Sequence, residues 1–426
     1  RLGSPVVKEA DGSVHRMLPM EARIRKLTYT APLYIELILV KDGIEEEKVE
    51  VDIGSLPIMV RSMVCNLDKA NMEKDLDHEL NDQEYEAKLK EAGEDPSDPG
   101  GYFIINGSER VLVTVEDLAP NGILVGHEGA YGASMEAAKV FSQKAGRRAL
   151  VIVEKKSDGT LMASIPAISG QISLTALMRG LGMETDEGIA RAIGEERGIL
   201  KFVLANLEVD REGLEVQTVD DAWNLLGRRV APGQAREYRL KRVESLLDRT
   251  LLPHLGNSPE DRTKKAIYLG RMGRSTIQLA LGKTRGNDKD HYANKRLKRS
   301  GDLMGDLFRV AFVTLARDLK YQLERTYARS NLAALKTAIR SNVLTERMLQ
   351  ALATGNWIDG RTGVSQLLDR TCRLATLSHL RRVISPLSRS QAHFEARDLH
   401  ATQWGRLCPC ETPEGPNCGL VKNLAL

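Results

Sequence analysis

Residues 101–116 read GYFIINGSERVLVTVE: two apolar runs on either side of Asn106-Gly107. An Asn-Gly pair supplies the positive backbone angles of a tight two-residue turn, so the stretch predicts two antiparallel strands. Working outward, LTYTAPLYIELILV and KVEVDIGSLPIMV, between residues 20 and 60, predict two further strands with a hairpin near Asp42-Gly43. ALVIVEKKSDGTLMASIPAI (149–168) predicts another hairpin at Asp158-Gly159. Beyond it the apolar period changes to three and four. Segments 218–229, 234–252, 259–281 and 300–328 predict helices, with Pro232, Pro253 and Pro259 as breaks. The fold class is therefore α+β, with sheets early and helices late. Gly-rich text at 122–134 and 282–287 predicts linkers, and no internal repeat is present.

At 426 residues the chain is too long for one hydrophobic core, so two to four domains are expected. With 61 Lys plus Arg against 58 Asp plus Glu and 42% hydrophobic residues, the composition is that of an ordinary multi-domain globular protein. Aromatics are 4%, which argues against stacking platforms for single-stranded bases. No apolar run reaches the roughly 18 residues of a membrane span. Five cysteines (Cys65, Cys372, Cys408, Cys410, Cys418) give no disulfide framework, and nothing near Arg1 has the pattern of a signal peptide, so the expected location is cytoplasmic.

Charge is distributed in blocks. Residues 68–98 carry twelve acids against four lysines and predict a solvated helix and loop. Residues 361–406 carry eight arginines (Arg361, Arg370, Arg373, Arg381, Arg382, Arg389, Arg397, Arg406), no lysine, and three acids. Exclusive use of arginine favours fork-shaped contacts to phosphate or carboxylate. Two readings stay open for each arginine: a nucleic-acid contact, or an internal pair with Asp369, Glu395, Asp398, Glu411 or Glu414. RGNDKDHYANKRLKRS (285–300), with six basic residues and two acids, predicts a basic cluster opening a long helix, set either against phosphates or in solvent.

Small-molecule chemistry finds no footing. LGKT at 281–284 lacks the glycine a phosphate loop needs, having Ile277 there, and Gly180-Leu181-Gly182 is followed by Thr185 where a dinucleotide fingerprint requires its third glycine. Cys408, Cys410 and Cys418 are spaced C-x-C-x7-C, without paired zinc knuckles, and read as reduced thiols. Neither H-E-x-x-H nor G-x-S-x-G occurs.

Five stretches resemble, in order, the second-largest subunit of the multisubunit DNA-directed RNA polymerases, in its archaeal and eukaryotic form more than its bacterial one. They are IGSLPIMVRSMVC (53–65), GGYFIINGSERVLV (100–113), NDKDHYANKRL (287–297), ALATGNW (351–357) with GVSQLLDRTCRLATLSHLRR (363–382), and FEARDLHATQWGRLCPCETPEGPNCGLVKNLAL (394–426). NGSERVL and the DKDHY block favour an archaeal source. The resemblance implies a protrusion domain (1–123 and 286–355) interrupted by a lobe (124–285), followed by a fork region (356–426) that is incomplete at its C-terminus. It implies a non-catalytic part of the enzyme, lining one side of the DNA cleft and the wall of the RNA and hybrid path. The positions implied to face nucleic acid are Gln366, Asp369, His379, Arg381, Arg382, Arg389, Glu414 and Asn417, with Lys295 and Arg296 of the basic block. His379 and His400 are expected to be hydrogen-bonding wall residues, and 383–394 to be the fork loop. Leu367 stands where the bacterial pattern has an aromatic residue, and Ile384 where it has serine, so the bacterial inhibitor pocket is not reproduced. Magnesium is expected in the largest subunit, which carries the family's aspartate cluster, with no metal or cofactor on this chain. The implied partners are the largest subunit, the remaining C-terminal part of the second-largest subunit, template DNA, nascent RNA, and initiation and elongation factors. The competing readings are a stand-alone nucleic-acid-binding protein and a scaffold that only holds initiation factors.

Overall fold

In a computed structural model, the chain is described over residues 1–426 except 10, 42, 46, 75–77, 129–134, 145 and 331–337. It forms two compact units, one of residues 1–117 and 297–426 and the other of 118–296. Both mix helices with antiparallel sheet.

The first unit is built on the stretch around Asn106-Gly107. Strands Phe103–Ile105 and Ser108–Leu112 pair antiparallel, and Asn106 (φ 51°) and Gly107 (φ 77°) both take the positive angles of the hairpin turn. Phe103–Ile105 is buried on both faces, as are Val111 and Leu112 at the far end of its partner, which is why these runs are apolar, whereas Ser108, Glu109 and Arg110 next to the turn are exposed or half-buried. Tyr102, Ile104, Val111 and Val113 enter one core with Tyr29, Ile58 and Leu67. The alternate residues Phe103, Ile105, Leu112 and Val115 enter a second core. Leu303, Leu307, Ala311 and Leu315 of helix Ser300–Ser330, and Leu344, Met348 and Leu352 of helix Ser341–Thr354, cover that second core. Strands Thr30–Leu37 and Val49–Pro57 form the expected early pair. A short hairpin, Val40–Lys41 with Ile44–Glu45, lies between them, its turn residue Asp42 falling outside the described residues.

In the second unit a five-stranded antiparallel sheet is followed by helices. Ala138, Val140, Val151, Val153, Leu161 and Ala163 alternate inward from its strands and meet Leu269, Met272 and Ile277 of helix Arg262–Ala280. The hairpin at Asp158-Gly159 joins Arg147–Lys155 to Leu161–Ser164.

Two expectations are corrected here. Within the supposed linker 122–134, Leu124–Glu128 is an edge strand paired with Met135–Lys144, since Val125 packs against the core and Leu124 is buried; residues 129–134 lie outside the described ones. The stretch 282–287 is irregular but anchored, Asn287 exchanging two hydrogen bonds with Val125 at 2.7 and 2.8 Å. The block 285–300 does not open the long helix. Its residues form a single turn, Tyr292–Asn294, and a strand, Lys295–Lys298, before the helix begins at Ser300. The acidic stretch does carry solvated helix: Asp82–Glu91, opened by the Asn81–Glu84 capping box. Its Asp75 and Asp77 lie outside the described residues. Among the described residues no helix is long and apolar enough to cross a membrane.

Candidate nucleic-acid interface

The strand Ser365–Leu367 adds antiparallel to Ser108–Leu112, with Gln366 opposite Val111. The chain then turns at Asp369, whose carboxylate accepts from the Thr371 amide at 2.9 Å and hydroxyl at 2.7 Å; these bonds hold its pKa below the usual carboxylate value. Helix Arg373–Leu380 follows and delivers His379 back beneath the turn. The Asp369 amide donates to His379 Nδ1 at 3.1 Å, so the proton of a neutral ring sits on Nε2, facing Gln366 Oε1 at 3.1 Å. Burial, helped by the charge of Arg382, pushes the His379 pKa down. Gln366 Nε2 in turn donates to Gly363 O at 3.0 Å. Thus Gln366, Asp369 and His379 form one hydrogen-bonded cluster, and Arg382 lies close enough to act electrostatically on the last two.

Arg382 begins a strand, Arg382–Ile384, set between Thr114–Leu118, to which it is parallel, and Val421–Asn423, to which it is antiparallel. Beneath it is a feature not read from the sequence: Lys422, in the middle of the closing apolar run, forms a buried ion pair with Glu116 at 3.1 Å. Arg381 donates to the Leu424 carbonyl. Glu411 accepts from Ser378 Oγ at 2.6 Å and from Asn423 Nδ2, and the Thr412 hydroxyl donates to Val421 O at 3.0 Å and accepts from the Gly419 amide at 2.9 Å. These contacts clamp the base of the ETPEGPN loop. At its tip, Gly415–Asn417 is a single helical turn with Glu414 exposed, and Asn417 Oδ1 is enclosed without a hydrogen-bond partner.

The eight arginines divide sharply. Arg361 pairs with Asp117 at 2.5 Å. Arg370 pairs with Glu109 at 2.7 Å and Asp98 at 3.0 Å. It shares Glu109 with Arg23, which also reaches Glu94 at 2.7 Å, and both guanidiniums lie over the Tyr102 ring. Among the described residues none of the eight pairs with Asp369, Glu395, Asp398, Glu411 or Glu414, the five acids that proximity in sequence had offered. Arg381, Arg397 and Arg406 donate to backbone carbonyls. Among the described residues Arg373, Arg382 and Arg389 have no ion pair or hydrogen bond from their side chains, Arg389 on an exposed turn.

The remaining two candidates belong to the second unit. Lys295 is mostly buried, pairs with Asp290 at 3.1 Å and lies over the Tyr292 ring. Arg296 is exposed and donates to the Ala293 and Lys295 carbonyls at 3.1 and 2.7 Å. Lys289 pairs with Glu128 at 2.9 Å, and His291 Nδ1 caps the turn by accepting from the Ala293 amide at 3.0 Å. Much of the basic block is therefore engaged in its own turn.

Residues 1–346 match the family described as RNA polymerase beta subunit, and residues 366–426 match RNA polymerase Rpb2, domain 3. The chain belongs to the second-largest-subunit family of DNA-directed RNA polymerases. It is 54% identical to DNA-directed RNA polymerase subunit Rpo2N of Halobacterium salinarum over all of its own length and 80% of the relative's, and 52% identical to Rpo2N of Methanocaldococcus jannaschii over 83% of that relative. Subunit Rpo2 of Saccharolobus solfataricus is 51% identical, but there the matched region is 36% of a much longer polypeptide. The chain thus corresponds to the N-terminal part of an archaeal second-largest subunit and is part of a transcription enzyme. The chain contains the regions of the protrusion and the fork.

Proposed function

We propose that this subunit lines one side of the DNA cleft and forms a wall of the RNA and hybrid path. In this reading 124–285, within the unit 118–296, is the lobe, 1–123 and 286–355 build the protrusion, and 356–426 is the fork. Support comes from the contrast among the arginines: among the described residues Arg382 and Arg389 carry charge without an ion pair or side-chain hydrogen bond, and Arg382 acts electrostatically on a polar cluster whose groups are oriented by hydrogen bonds. A polymerase must grip a backbone of any sequence and release it at every step, which calls for cations and fixed dipoles rather than base readout. His379, held neutral with its proton on Nε2, orients Gln366 and the Asp369 turn and does not transfer protons.

Nucleotide addition, the attack of an RNA 3′-hydroxyl on an α-phosphate, uses magnesium to clamp the reacting oxygens. The described residues offer no fitting site for it. Among the described residues, the three that approach as metal ligands are Glu9, His15 and Glu21, and Arg25 already pairs with both carboxylates, at 2.6 and 2.7 Å. The metal belongs to the largest subunit, and this chain positions nucleic acid. Its partners are that subunit, the remaining part of the second-largest subunit, template DNA, nascent RNA and transcription factors.

The test is an assembled polymerase carrying Arg389→Ala or Arg382→Gln. Each is expected to shorten the lifetime of stalled elongation complexes on the order of tenfold, the worth of one charge-assisted hydrogen bond, with a shallower dependence on salt. Unchanged elongation and open-complex stability in both variants would remove the wall assignment.

A further inference from the structure

Arg397 ends the short helix Phe394–Arg397, and its guanidinium is turned onto backbone carbonyls of two separate loops. Nε donates to Ala392 O at 2.7 Å and Nη2 to Gln391 O at 3.4 Å. Nη1 donates to Pro416 O at 2.8 Å and Cys418 O at 2.7 Å. Four of the five N–H donors of a guanidinium are thereby engaged, in two pairs pointing opposite ways. One pair holds the end of loop 385–393, which carries Arg389. The other holds the tip of the ETPEGPN loop, with Glu414 and Asn417. A lysine cannot reproduce this, because its donors radiate from a single atom.

Gly419 marks the same contact independently. At φ 74° it sits where a side chain is strained, and a Cβ there would fall 2.4 Å from Arg397 O and 2.7 Å from Arg397 Cα. The loop is pressed onto the Arg397 backbone as well as held by its side chain. Besides Arg397, the ETPEGPN loop is held by its own turn, with Cys418 N donating to Gly415 O at 3.0 Å and Gly419 N to the Thr412 hydroxyl at 2.9 Å. Asn417 Oδ1 makes no hydrogen bond, and the nearby apolar side chains Phe394, Leu399 and Trp404 are 78%, 62% and 89% exposed rather than packed as an anchor.

We propose that Arg397 is a positioning residue that fixes loop 385–393 and the ETPEGPN loop to one another, so that Arg389 meets nucleic acid at a set distance from Glu414 and Asn417. This rests on the wall assignment for the two loops. Arg397 itself touches no nucleic acid; it acts through Arg389 and its neighbours.

The experiment uses the assembled polymerase with Arg397→Lys, Gly419→Ala, Arg389→Ala and the double variant Arg389→Ala/Arg397→Lys. Amide hydrogen exchange is expected to rise together in residues 388–393 and 414–419 in both Arg397→Lys and Gly419→Ala, with the rest of the subunit unchanged. Lifetimes of stalled complexes are expected to fall about as far in Arg397→Lys as in Arg389→Ala, and no further in the double variant, because both changes act through one loop. Charge alone would be rescued by lysine, so restored lifetime in Arg397→Lys would overturn the proposal. So would exchange that rises in one loop only, or effects that multiply in the double variant. If instead Arg389→Ala leaves the lifetime intact, the positioning role falls; the wall assignment falls with it only if Arg382→Gln is also without effect.

Discussion

Arg370 and Arg382 are twelve positions apart in one arginine-rich run, yet they stand in opposite electrostatic surroundings. Arg370 closes a network in which Arg23 and Arg370 face Glu94, Asp98 and Glu109 around the ring of Tyr102. Arg382 has neighbours that feel its charge but, among the described residues, no ion-pair partner. The difference teaches how to sort a run of like residues. An arginine that completes a buried acidic cluster holds the fold, whereas one left open on a rigid frame is available to an outside anion.

The comparison breaks most visibly at the buried end of the scale. Lys422→Met removes the buried lysine charge that pairs with Glu116 and is expected to destabilise the subunit by about 3–5 kcal/mol. Adding Glu116→Leu should recover most of that loss, because two apolar side chains of similar volume need no charge compensation. Urea unfolding of the two variants checks this; a double variant as unstable as the single one would mean that packing, and not charge, sets the cost.

Arg370→Ala comes next. Its side chain is 39% exposed, so water relieves part of the strain on Asp98 and Glu109, and a loss of about 2 kcal/mol is expected. Arg382→Gln, by contrast, should change unfolding by less than about 0.5 kcal/mol while shortening complex lifetime. If Arg382→Gln were instead the more destabilising of the two, the division between structural and open arginines would be wrong.

That division was only half legible in the sequence. The hairpins at Asn106-Gly107 and Asp158-Gly159 and the helices of the second half were readable because their signals are local: turn residues with positive φ and apolar periods of two or three to four. The concentration of arginine was also readable. Its partners were not, since Arg361–Asp117, Arg370–Glu109 and Lys422–Glu116 join residues 244, 261 and 306 positions apart. Acids adjacent in sequence offered themselves instead, and none is used. A lysine inside the apolar run GLVKNLAL was the one local hint that a distant carboxylate must be waiting, since a buried lysine requires a partner. The strand Leu124–Glu128 was hidden by its glycine, and the basic block by ion pairs and caps within its own turn. The cluster of Gln366, Asp369 and His379 came from resemblance, and the structure supplies what resemblance lacks, the proton position on the imidazole.

That proton position makes the smallest and most specific prediction. His379 has its folded pKa lowered below the ordinary 6.5 by burial and by Arg382. In the window from 6.5 downward the unfolded chain binds the proton more readily than the folded one, so stability is full above 6.5 and declines as pH falls through that window. Protonation also places a hydrogen on Nδ1, which opposes the bond from the Asp369 amide and should loosen the 366–371 turn first. Hydrogen exchange of the Asp369 amide is therefore expected to quicken, relative to neighbouring amides, as pH falls below 6.5. His379→Gln should flatten that dependence, because a glutamine can accept the same hydrogen bond and does not titrate. A pH response that survived His379→Gln would assign the titration to another group and leave the imidazole a purely steric part of the wall.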